Sequence, residues 1–378
     1  MTGKLVNGEV VPRAREDLTA EELDWEEMMN ETCHQFIVFR QVSPLVVAKK
    51  IHDDEVSVLV DIGGHLSYRA EVLVLKPAPI QVHWPLGGYL ATFGDKESVQ
   101  YLLCENSMLH ENETQYFTEQ PVYLLPSFYG YYPPPSSAAE ARTIRAMVEK
   151  ALDAATPFPS LASAERSPAH AFPSLPAVPI SIPFELQLPD RKALGLPPKE
   201  DGTFIFFNFA EPYKVDRQVF ATWMQILNVT QNTVLLLPSG ATNERNQNMK
   251  KYMSARGIDP KRLIFTTING VPWQLTSMTD TRHILSFVDL YLDTFPFGTD
   301  VLSLVETLYH EVPVLALQGR SFSEMVGTSF LKTLGLPELI AQSKTKYVAT
   351  AARLVRSTRE DLTAWPASED LASTVSDC

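Results

Sequence analysis

The sequence predicts an α/β fold with parallel sheets, and the clearest signal lies in its C-terminal half. From residue 194 onward, short apolar runs alternate strictly with helical segments, an order typical of right-handed, Rossmann-like βαβ units. The predicted strands are TFIFFNF, NTVLLLP, RLIFTT, DLYLDT and PVLAL. The predicted helices are one that opens at Asp216, Asn243–Arg256, Asp300–His310 and one near Phe322–Leu334.

The N-terminal half contains a second, shorter set of strand-like runs. These are FIVF, VSVLVDI, EVLVL and IQVHW, and a helix is predicted around Val46–Ile51. Runs with so little polar alternation favour strands that are covered on both faces. Residues 36–132 are therefore predicted to form a partial Rossmann-like domain.

A change of composition marks the predicted domain boundary. Pro, Ala and Ser dominate residues 133–193, which is typical of a linker, although a helix is predicted at Ala138–Ala154. The other predicted segments are an acidic extension at 1–35 with a helix around Thr19–Met29, the partial domain at 36–132, a C-terminal domain at 194–358 and a tail at 359–378.

Charge limits the classes of partner. The 378 residues carry a formal net charge of -13, spread along the chain. General nucleic-acid binders and proteins of anionic membrane surfaces normally carry the opposite sign. We therefore expect neither a nucleic acid nor a membrane as a partner. Any bound phosphate must meet a local pocket of N–H groups and one or two cations, which favours a small nucleotide.

Cysteine usage and hydropathy predict a soluble intracellular protein. Cys33, Cys104 and Cys378 form neither a CxxC pair nor a zinc-like spacing, so neither a disulfide framework nor a structural metal is predicted. No apolar run has the length of a signal-peptide core or of a membrane span. A reducing, cytoplasmic or nucleocytoplasmic compartment fits these features.

Ligands of parallel sheets bind at the loops after the carboxyl ends of the strands, and the first such loop contains Lys214. This residue lies between a strand end and a helix start, where an ammonium can face a diphosphate. A lone lysine is more often simply solvated, and this alternative stays open.

A second loop leads to a helix N-terminus. Thr299 or Asp300 follows a Pro-Phe-Gly turn and can cap the helix, whose free N–H groups and dipole favour an anion. Glu306 falls off the apolar stripe of this helix and can accept hydrogen bonds from a ribose. The alternative is an ordinary βα unit with an exposed glutamate, and the carboxylate of Asp300 would repel phosphate.

Two histidines lie at predicted strand ends in the N-terminal half. His65 follows Gly63 and Gly64 and can line a cleft, while His83 ends another strand. A lone histidine at a strand end is more often structural than catalytic. The sequence shows no HExxH motif, Walker loop, DxD pair or Ser/His/Asp order, so ordinary hydrolases and metal enzymes have little support.

Several segments follow one another in the order of a known family. They are IHDDEVSVLVDIGGHL with KPAPIQVHW, YFTEQPVYLLP, LGLPPKEDGTFIFFNFAEPYKVD, VDLYLDTFPFG, ETLYHEVPVLAL and QGRSFSEMVGTSFLKTLGLPELI. Together they resemble family 41 of the glycosyltransferases, which comprises the O-linked N-acetylglucosamine transferases, their SPINDLY relatives and the bacterial adhesin-modifying N-glucosyltransferases. The resemblance covers roughly Phe36–Pro126 and Leu194–Leu354.

The resemblance implies a GT-B arrangement of two Rossmann-like domains and transfer of a sugar from a UDP-sugar to a protein, without a metal or other cofactor. The implied sugar is N-acetylglucosamine, with glucose or fucose as alternatives, and the implied acceptor is a Ser or Thr hydroxyl. Lys214 takes the place of the lysine that contacts the UDP diphosphate, and Glu306 that of the ribose-contacting aspartate. The implied catalytic residues are Lys214 and His65, and the implied donor-binding residues are Lys214, Glu211, His283, Gly298, Thr299, Ser303 and Glu306.

The chain also departs from the family pattern. The GHTT element at the helix N-terminus is replaced by Thr299-Asp300-Val301-Leu302-Ser303, Glu211 stands for a glutamine, and Met325 for an arginine. The tetratricopeptide repeats, the first strand with its HPTSH histidines and the final helix are missing, so the N-terminal domain is expected to be truncated. Two alternatives to an active enzyme follow: an inactive relative that binds a nucleotide or a protein, and a fragment completed by a neighbouring reading frame.

Overall fold

The structure, a computed structural model, describes residues 3–6, 9–12, 26–27, 29–30, 33–39, 42–65, 70–86, 90–124, 190–239, 243–266 and 284–360. The chain divides into two compact units, Met1–Ser43 with Tyr132–Leu186, and Pro44–Tyr131 with Gln187–Cys378. In the first unit, β1 (Gly3–Val6) pairs antiparallel with β2 (Glu9–Pro12). The predicted helix at Ala138–Ala154, and most of the one around Thr19–Met29, lie outside the described residues.

The second unit contains two parallel sheets, and the N-terminal one has four strands. Its elements are α1 (Pro44–Asp53), β3 (Val58–Asp61), α2 (Ala70–Val74), β4 (Ile80–His83), β5 (Tyr101–Cys104), a 3₁₀ helix (Glu111–Tyr116) and β6 (Gln120–Tyr123). The strands are parallel and lie in the order β3-β4-β5-β6. The predicted strands VSVLVDI and IQVHW are confirmed.

Three predictions for this half are wrong. EVLVL is not a strand but helix α2, because neighbouring parallel strands such as β3 and β4 need a crossover connection. The segment Phe36–Phe39 (FIVF) has no strand conformation, since a strand forms only where a neighbour pairs with its backbone groups. β3 is not covered on both faces: it is an edge strand, and Val58 and Val60 are 49% and 45% exposed.

The C-terminal sheet has six parallel strands in the order β12-β11-β10-β7-β8-β9. Its elements are β7 (Phe204–Phe207), α3 (Arg217–Val229), β8 (Thr233–Pro238), α4 (Asn243–Ser254), β9 (Leu263–Thr266), β10 (Leu290–Leu292), α5 (Val301–Tyr309), β11 (Val314–Leu317), α6 (Val326–Thr333), β12 (Ile340–Ala341) and α7 (Lys344–Glu360). Short 3₁₀ turns lie at Lys199–Asp201, Pro212–Lys214, Pro260–Arg262, Phe322–Glu324 and Pro337–Leu339. The predicted alternation of strands and helices in this half is confirmed.

Side chains of β7 alternate between two apolar layers. Phe204 and Phe206 join Trp223 of α3 and Tyr347 of α7 on one face of the sheet. Ile205 and Phe207 face the other layer, which includes α5 and α6 and continues to the buried side chains Leu102 and Cys104 of β5. Strands buried on both faces explain why the apolar runs of this half lack alternation.

Arg262, the last residue of the 3₁₀ turn Pro260–Arg262, binds the end of α3 and the start of β8. Its Nε donates to the carbonyl of Thr233 at 2.8 Å, its Nη1 to that of Leu227 at 2.8 Å, and its Nη2 to that of Thr230 at 3.1 Å. The planar guanidinium thus satisfies carbonyl groups at the C-terminus of α3 and at the start of β8.

We expect Arg262→Ala to lower the free energy of unfolding by about 2–4 kcal/mol, because half-buried carbonyls lose their donor. Urea denaturation followed by circular dichroism measures this change. Arg256→Ala is the matched control, since Arg256 is exposed and contacts Tyr252 one turn earlier, donating to its carbonyl and stacking over its ring; we expect a loss below about 1 kcal/mol. Equal losses for the two variants would contradict the assigned role.

Candidate functional site

The strand order of the C-terminal sheet creates a switch point between β7 and β10. From β7 the chain continues to β8 and β9 on one side, and β10, β11 and β12 follow on the other. Ligands of open parallel sheets bind at such a point, outside the carboxyl ends of the strands. The segments that leave β7 and β10 contain all the predicted donor-binding residues except His283, which lies outside the described residues.

A buried carboxylate holds the turn after β10. Oδ1 of Asp293 accepts hydrogen bonds from the backbone N–H groups of Thr294 at 2.8 Å and of Thr299 at 3.0 Å. The hydroxyl of Thr299, which is itself buried, accepts a hydrogen bond from the phenol of Tyr291 at 3.0 Å. Burial raises the pKa of Asp293, and the opposing effects of its N–H donors and of Lys214 do not cancel this.

Lys214 ends the 3₁₀ turn that follows β7, and its side chain points to the Asp293 turn. Its Nζ donates to the carbonyl O of Gly298 at 3.1 Å and lies 4.4 Å from the centre of the Phe297 ring. Lys214 is only 7% exposed, so the alternative of a solvated surface lysine is wrong. The structure therefore brings Lys214 and Gly298, two of the predicted residues, into direct contact.

Three carboxylates surround this ammonium. Burial lowers the pKa of Lys214, while the negative charges of Asp300, Asp293 and Glu211 act in the opposite direction and reduce the shift. Glu211 is half-buried, and its backbone carbonyl accepts the N–H of Lys214 at 2.9 Å. The switch point thus holds a cation that is neutralised within the protein.

The N-terminus of α5 is capped by its own carboxylate. Oδ1 of Asp300 accepts the N–H of Ser303 at 2.9 Å, and Oδ2 accepts the Ser303 hydroxyl at 2.9 Å. Aspartate is a favourable N-cap and its charge complements the helix dipole. As a result, one carboxylate already lies at the helix end where the sequence predicted an anion.

Glu306 is buried, at 4% exposure, which makes the alternative of an exposed glutamate wrong. The prediction that it falls off the covered stripe fails because α5 packs against both α6 and β11. Its Oε2 lies 3.5 Å from Nε2 of His310, one turn further along the helix. A carboxylate held in this position can accept hydrogen bonds only from groups that enter the protein interior.

Helix α6 lies between the Asp293 turn and the N-terminal sheet. A Cβ at Gly327 would lie 2.3 Å from Oδ2 of Asp293, so the helix backbone rests directly on this carboxylate. Further along the same helix, the hydroxyl of Ser329 donates to the carboxylate of Glu105, a buried residue directly after β5. One helix therefore contacts both the Asp293 turn and the carboxyl edge of the other sheet.

His65, the predicted acceptor-side residue, belongs to that other edge. It is exposed, its Nε2 lies 3.1 Å from the carbonyl O of Thr92, and its ring stacks on Phe93 with 4.7 Å between ring centres. Close by, Nδ1 of His83 lies 3.1 Å from Oδ2 of Asp61. The structure therefore places His65 in a second cluster, formed by the ends of β3 and β4.

Two features of these clusters were missed by sequence reasoning. Asp293 received no role, although a polar residue directly after a wholly apolar strand at a carboxyl edge is a usable signal. The pairing of His83 with Asp61 was not predicted, because it joins residues from separate strands and follows only from the register Asp61↔His83 of β3 and β4.

Among the residues that the structure describes, no group of three or more His, Cys, Asp or Glu side chains is arranged to hold a metal ion. The helices in this described part are all too short or too polar to cross a membrane.

Two parallel α/β sheets with ligand loops at their carboxyl edges define the fold of the GT-B glycosyltransferases. The sequence model of Glycosyl transferase family 41 matches residues 19–131 and 172–367, and the chain therefore belongs to this family. The fold is similar to that of a mutant of the O-GlcNAc transferase of Thermobaculum terrenum, with a TM-score of 0.63 at 19% sequence identity over 92% of this chain and 56% of that one.

The chain matches only a part of its curated relatives. It is 30% identical over 176 residues to the UDP-N-acetylglucosamine–peptide N-acetylglucosaminyltransferase of Caenorhabditis elegans, which is 46% of this chain and 14% of the relative. It is 24% identical over 312 residues to the probable transferase SPINDLY of Petunia hybrida, which is 82% of this chain and 27% of that relative. The family assignment is thus established for a segment shorter than these proteins.

The raised pKa of Asp293 gives a test of its burial. Folding favours the protonated form of Asp293, so protonation of this residue stabilises the folded protein. This stabilisation is fully present below the unfolded pKa of about 3.9 and is lost as the pH rises through the folded pKa. Asp293→Asn mimics the protonated side chain and keeps an acceptor for the N–H groups of Thr294 and Thr299. We expect the stability of this variant relative to the wild type to increase as the pH rises from about 4 to about 8, measured by urea denaturation. A difference that stays constant over this range would contradict the raised pKa.

Proposed function

We propose that this chain binds a UDP-sugar at the switch point of the C-terminal sheet and transfers the sugar, N-acetylglucosamine, to a Ser or Thr hydroxyl of a protein. The observation that carries the proposal is the contact of the buried Lys214 ammonium with Gly298 at the carboxyl ends of β7 and β10. A fixed cation at a topological switch point is suited to a diphosphate. Membership of family 41 supports the same chemistry.

The proposed reaction requires stabilisation of the leaving UDP. Negative charge develops on the diphosphate as the sugar bond breaks, and a positioned ammonium is the group that offsets it. Lys214 would supply this charge by exchanging the Gly298 carbonyl for a phosphate oxygen, while Gly298, Thr299 and Ser303 would form the wall around the phosphates. In this proposal the reaction inverts the sugar centre and uses no metal, and no residue is assigned as general base.

The remaining predicted residues take secondary roles in the proposal. Glu306 would accept hydrogen bonds from the ribose, Glu211 would line the phosphate end, and His283 would lie near the base. His65 belongs to the sheet that would receive the acceptor protein. We place the reaction in a reducing, cytoplasmic or nucleocytoplasmic compartment, with a UDP-sugar and a protein as partners, because the acidic chain has no pattern of a nucleic-acid or membrane binder.

Calorimetric titration with UDP tests the donor site. We expect wild-type protein to bind UDP in the micromolar range and Lys214→Ala to bind it at least about tenfold more weakly, about 1.4 kcal/mol, because a buried cation is lost. Lys332→Ala is the matched control, since Lys332 is exposed on α6, and we expect it to leave UDP affinity unchanged. Equal affinity of wild type and Lys214→Ala, or no UDP binding by folded wild-type protein, would overturn the proposal.

One observation favours a second candidate function, an inactive relative that binds a nucleotide or a protein without transfer. The N–H of Thr299 donates to Asp293 and that of Ser303 donates to Asp300. Both N–H groups that were predicted to bind phosphate therefore already bind carboxylates of the chain itself. A diphosphate must then approach two negative charges. This arrangement opposes donor binding. It lies where Thr299-Asp300-Val301-Leu302-Ser303 replaces the GHTT element of the family.

Asp300→Asn separates a chain that binds UDP from an inactive relative that binds only a protein. Asparagine caps a helix about as well as aspartate, so the fold should be kept while one negative charge near the phosphates is removed. If the chain binds UDP at this site, we expect UDP affinity to rise about threefold or more, roughly 0.7 kcal/mol, over the wild type. Absence of UDP binding in both proteins, measured by calorimetry at unchanged thermal stability, would instead favour an inactive relative that binds a protein.

A further inference from the structure

The loop that carries His65 is attached to a fully buried histidine. His83 ends β4 at 0% exposure, and its Nδ1 lies 3.1 Å from Oδ2 of Asp61 at the end of the neighbouring strand β3. Its Nε2 has no hydrogen-bond partner among the described residues. The contact with Asp61 is therefore the polar contact that orients the His83 ring within this part of the chain.

Asp61 in turn holds the backbone of the loop. Its Oδ1 accepts the N–H of Gly63 at 3.3 Å, and its Oδ2 accepts the N–H of Gly64 at 2.7 Å. Burial opposes ionisation of Asp61, but the hydrogen bonds from His83, Gly64 and Gly63 outweigh it and lower the pKa of this carboxyl group. An ionised carboxylate only accepts hydrogen bonds, so the His83 proton on this side is at Nδ1.

Gly64 shows how closely the loop is fitted to the imidazole. Its φ is +54°, a left-handed conformation that favours glycine, and a Cβ at this position would lie 2.6 Å from Cε1 of His83. The backbone of the loop therefore lies flat against the ring. Both the hydrogen bond and the shape of His83 define the path of the chain from Asp61 to His65.

Phe93 connects the two histidine rings. It packs edge-on against His83, with 4.9 Å between ring centres, and stacks on His65 with 4.7 Å between centres. The loop around Phe93 is itself fixed, because Glu119 accepts the N–H of Phe93 and the hydroxyl of Thr92. His65, although exposed, thus has a defined place set by buried groups behind it.

We propose that His83 is a positioning residue for the acceptor side of the site: through Asp61 and the Gly63-Gly64 turn, it fixes His65 at the carboxyl edge of the N-terminal sheet. The proposal rests on the proposed function, in which His65 serves the acceptor side. His83 itself touches no substrate, since it is fully buried. A histidine that only fills the core would need its ring shape alone, whereas a positioning residue needs the Nδ1 donor.

Two substitutions separate these requirements. His83→Phe keeps a planar ring against Gly64 and Phe93 but removes the donor to Asp61. His83→Asn keeps a donor close to the Nδ1 position and removes the rest of the ring. His52→Phe, on the exposed face of α1, is the control for an unrelated histidine.

Transfer is measured as UDP release from UDP-N-acetylglucosamine with a mixture of Ser- and Thr-centred peptides. We expect His83→Phe to lower kcat about tenfold or more with the affinity for UDP unchanged, because the donor site lies on the other sheet. We expect His83→Asn to recover kcat to within about threefold of the wild type, and His52→Phe to have no effect. An unchanged kcat in His83→Phe, or an equal loss of UDP affinity, would overturn the proposal.

A second readout is independent of activity. In proton NMR, the Cε1–H signal of His65, assigned with His65→Gln, is expected to show the upfield ring-current shift of stacking on Phe93. We expect the shift to be lost in His83→Phe and kept in His83→Asn. If wild-type protein transfers no sugar, the proposed function fails, and this signal still decides the positioning role: retention of the shift in His83→Phe would overturn it.

Discussion

The C-terminal half of this molecule is organised around one buried carboxylate, that of Asp293. Its Oδ1 collects the N–H groups of Thr294 and Thr299, and its Oδ2 meets the backbone of Gly327. Its backbone carbonyl accepts the phenol of Tyr347 from α7. Turn, α6 and α7 therefore converge on a single residue at the end of β10. Burying such a group without these donors would cost several kcal/mol, on the order of a protein's whole stability margin.

The carboxylates near this turn, Asp300 foremost, explain how Lys214 can be buried. An isolated ammonium at 7% exposure would be strongly disfavoured, but Asp293, Asp300 and Glu211 all act on it. The site is thus balanced before any ligand arrives. Any ligand of this ammonium or of these N–H groups would have to displace the partners within the protein that already hold them.

Sequence patterns were sufficient for much of the fold. The strands from β7 to β11 are mainly apolar runs. They alternate with helices that have recognisable starts, such as the Asp216 cap of α3. The strand predicted at EVLVL was wrong because a run of four apolar residues after Glu71 shows neither a period of 2 nor one of 3.6. Only the parallel pairing of β3 with β4 requires a helix there. The strand predicted at Phe36–Phe39 was wrong for a related reason: an apolar run forms a strand only where another strand pairs with it.

The positions of the site residues at strand ends and helix starts could be predicted from the sequence, but their burial and side-chain contacts could not. That Lys214 follows β7 and Thr299 precedes α5 can be seen in the sequence, and strand order then brings them to one switch point. The burial of Glu306, however, depends on α6 and β11 packing over α5. The pairing of His83 with Asp61 depends on strand register. Such contacts join residues far apart in the chain, and a local pattern contains no information about them.

Helix α6 links the two sheets because its residues are spaced to face opposite sides. Gly327 and Ser329 are two positions apart, about 200° around a helix, so one meets Asp293 and the other meets Glu105. There is no room at Gly327 for even a methyl group. Close-packed interiors leave little slack around such contacts, so α6 is held between the Asp293 turn and Glu105. The turn after β10 and the carboxyl edge of the N-terminal sheet therefore share one supporting helix.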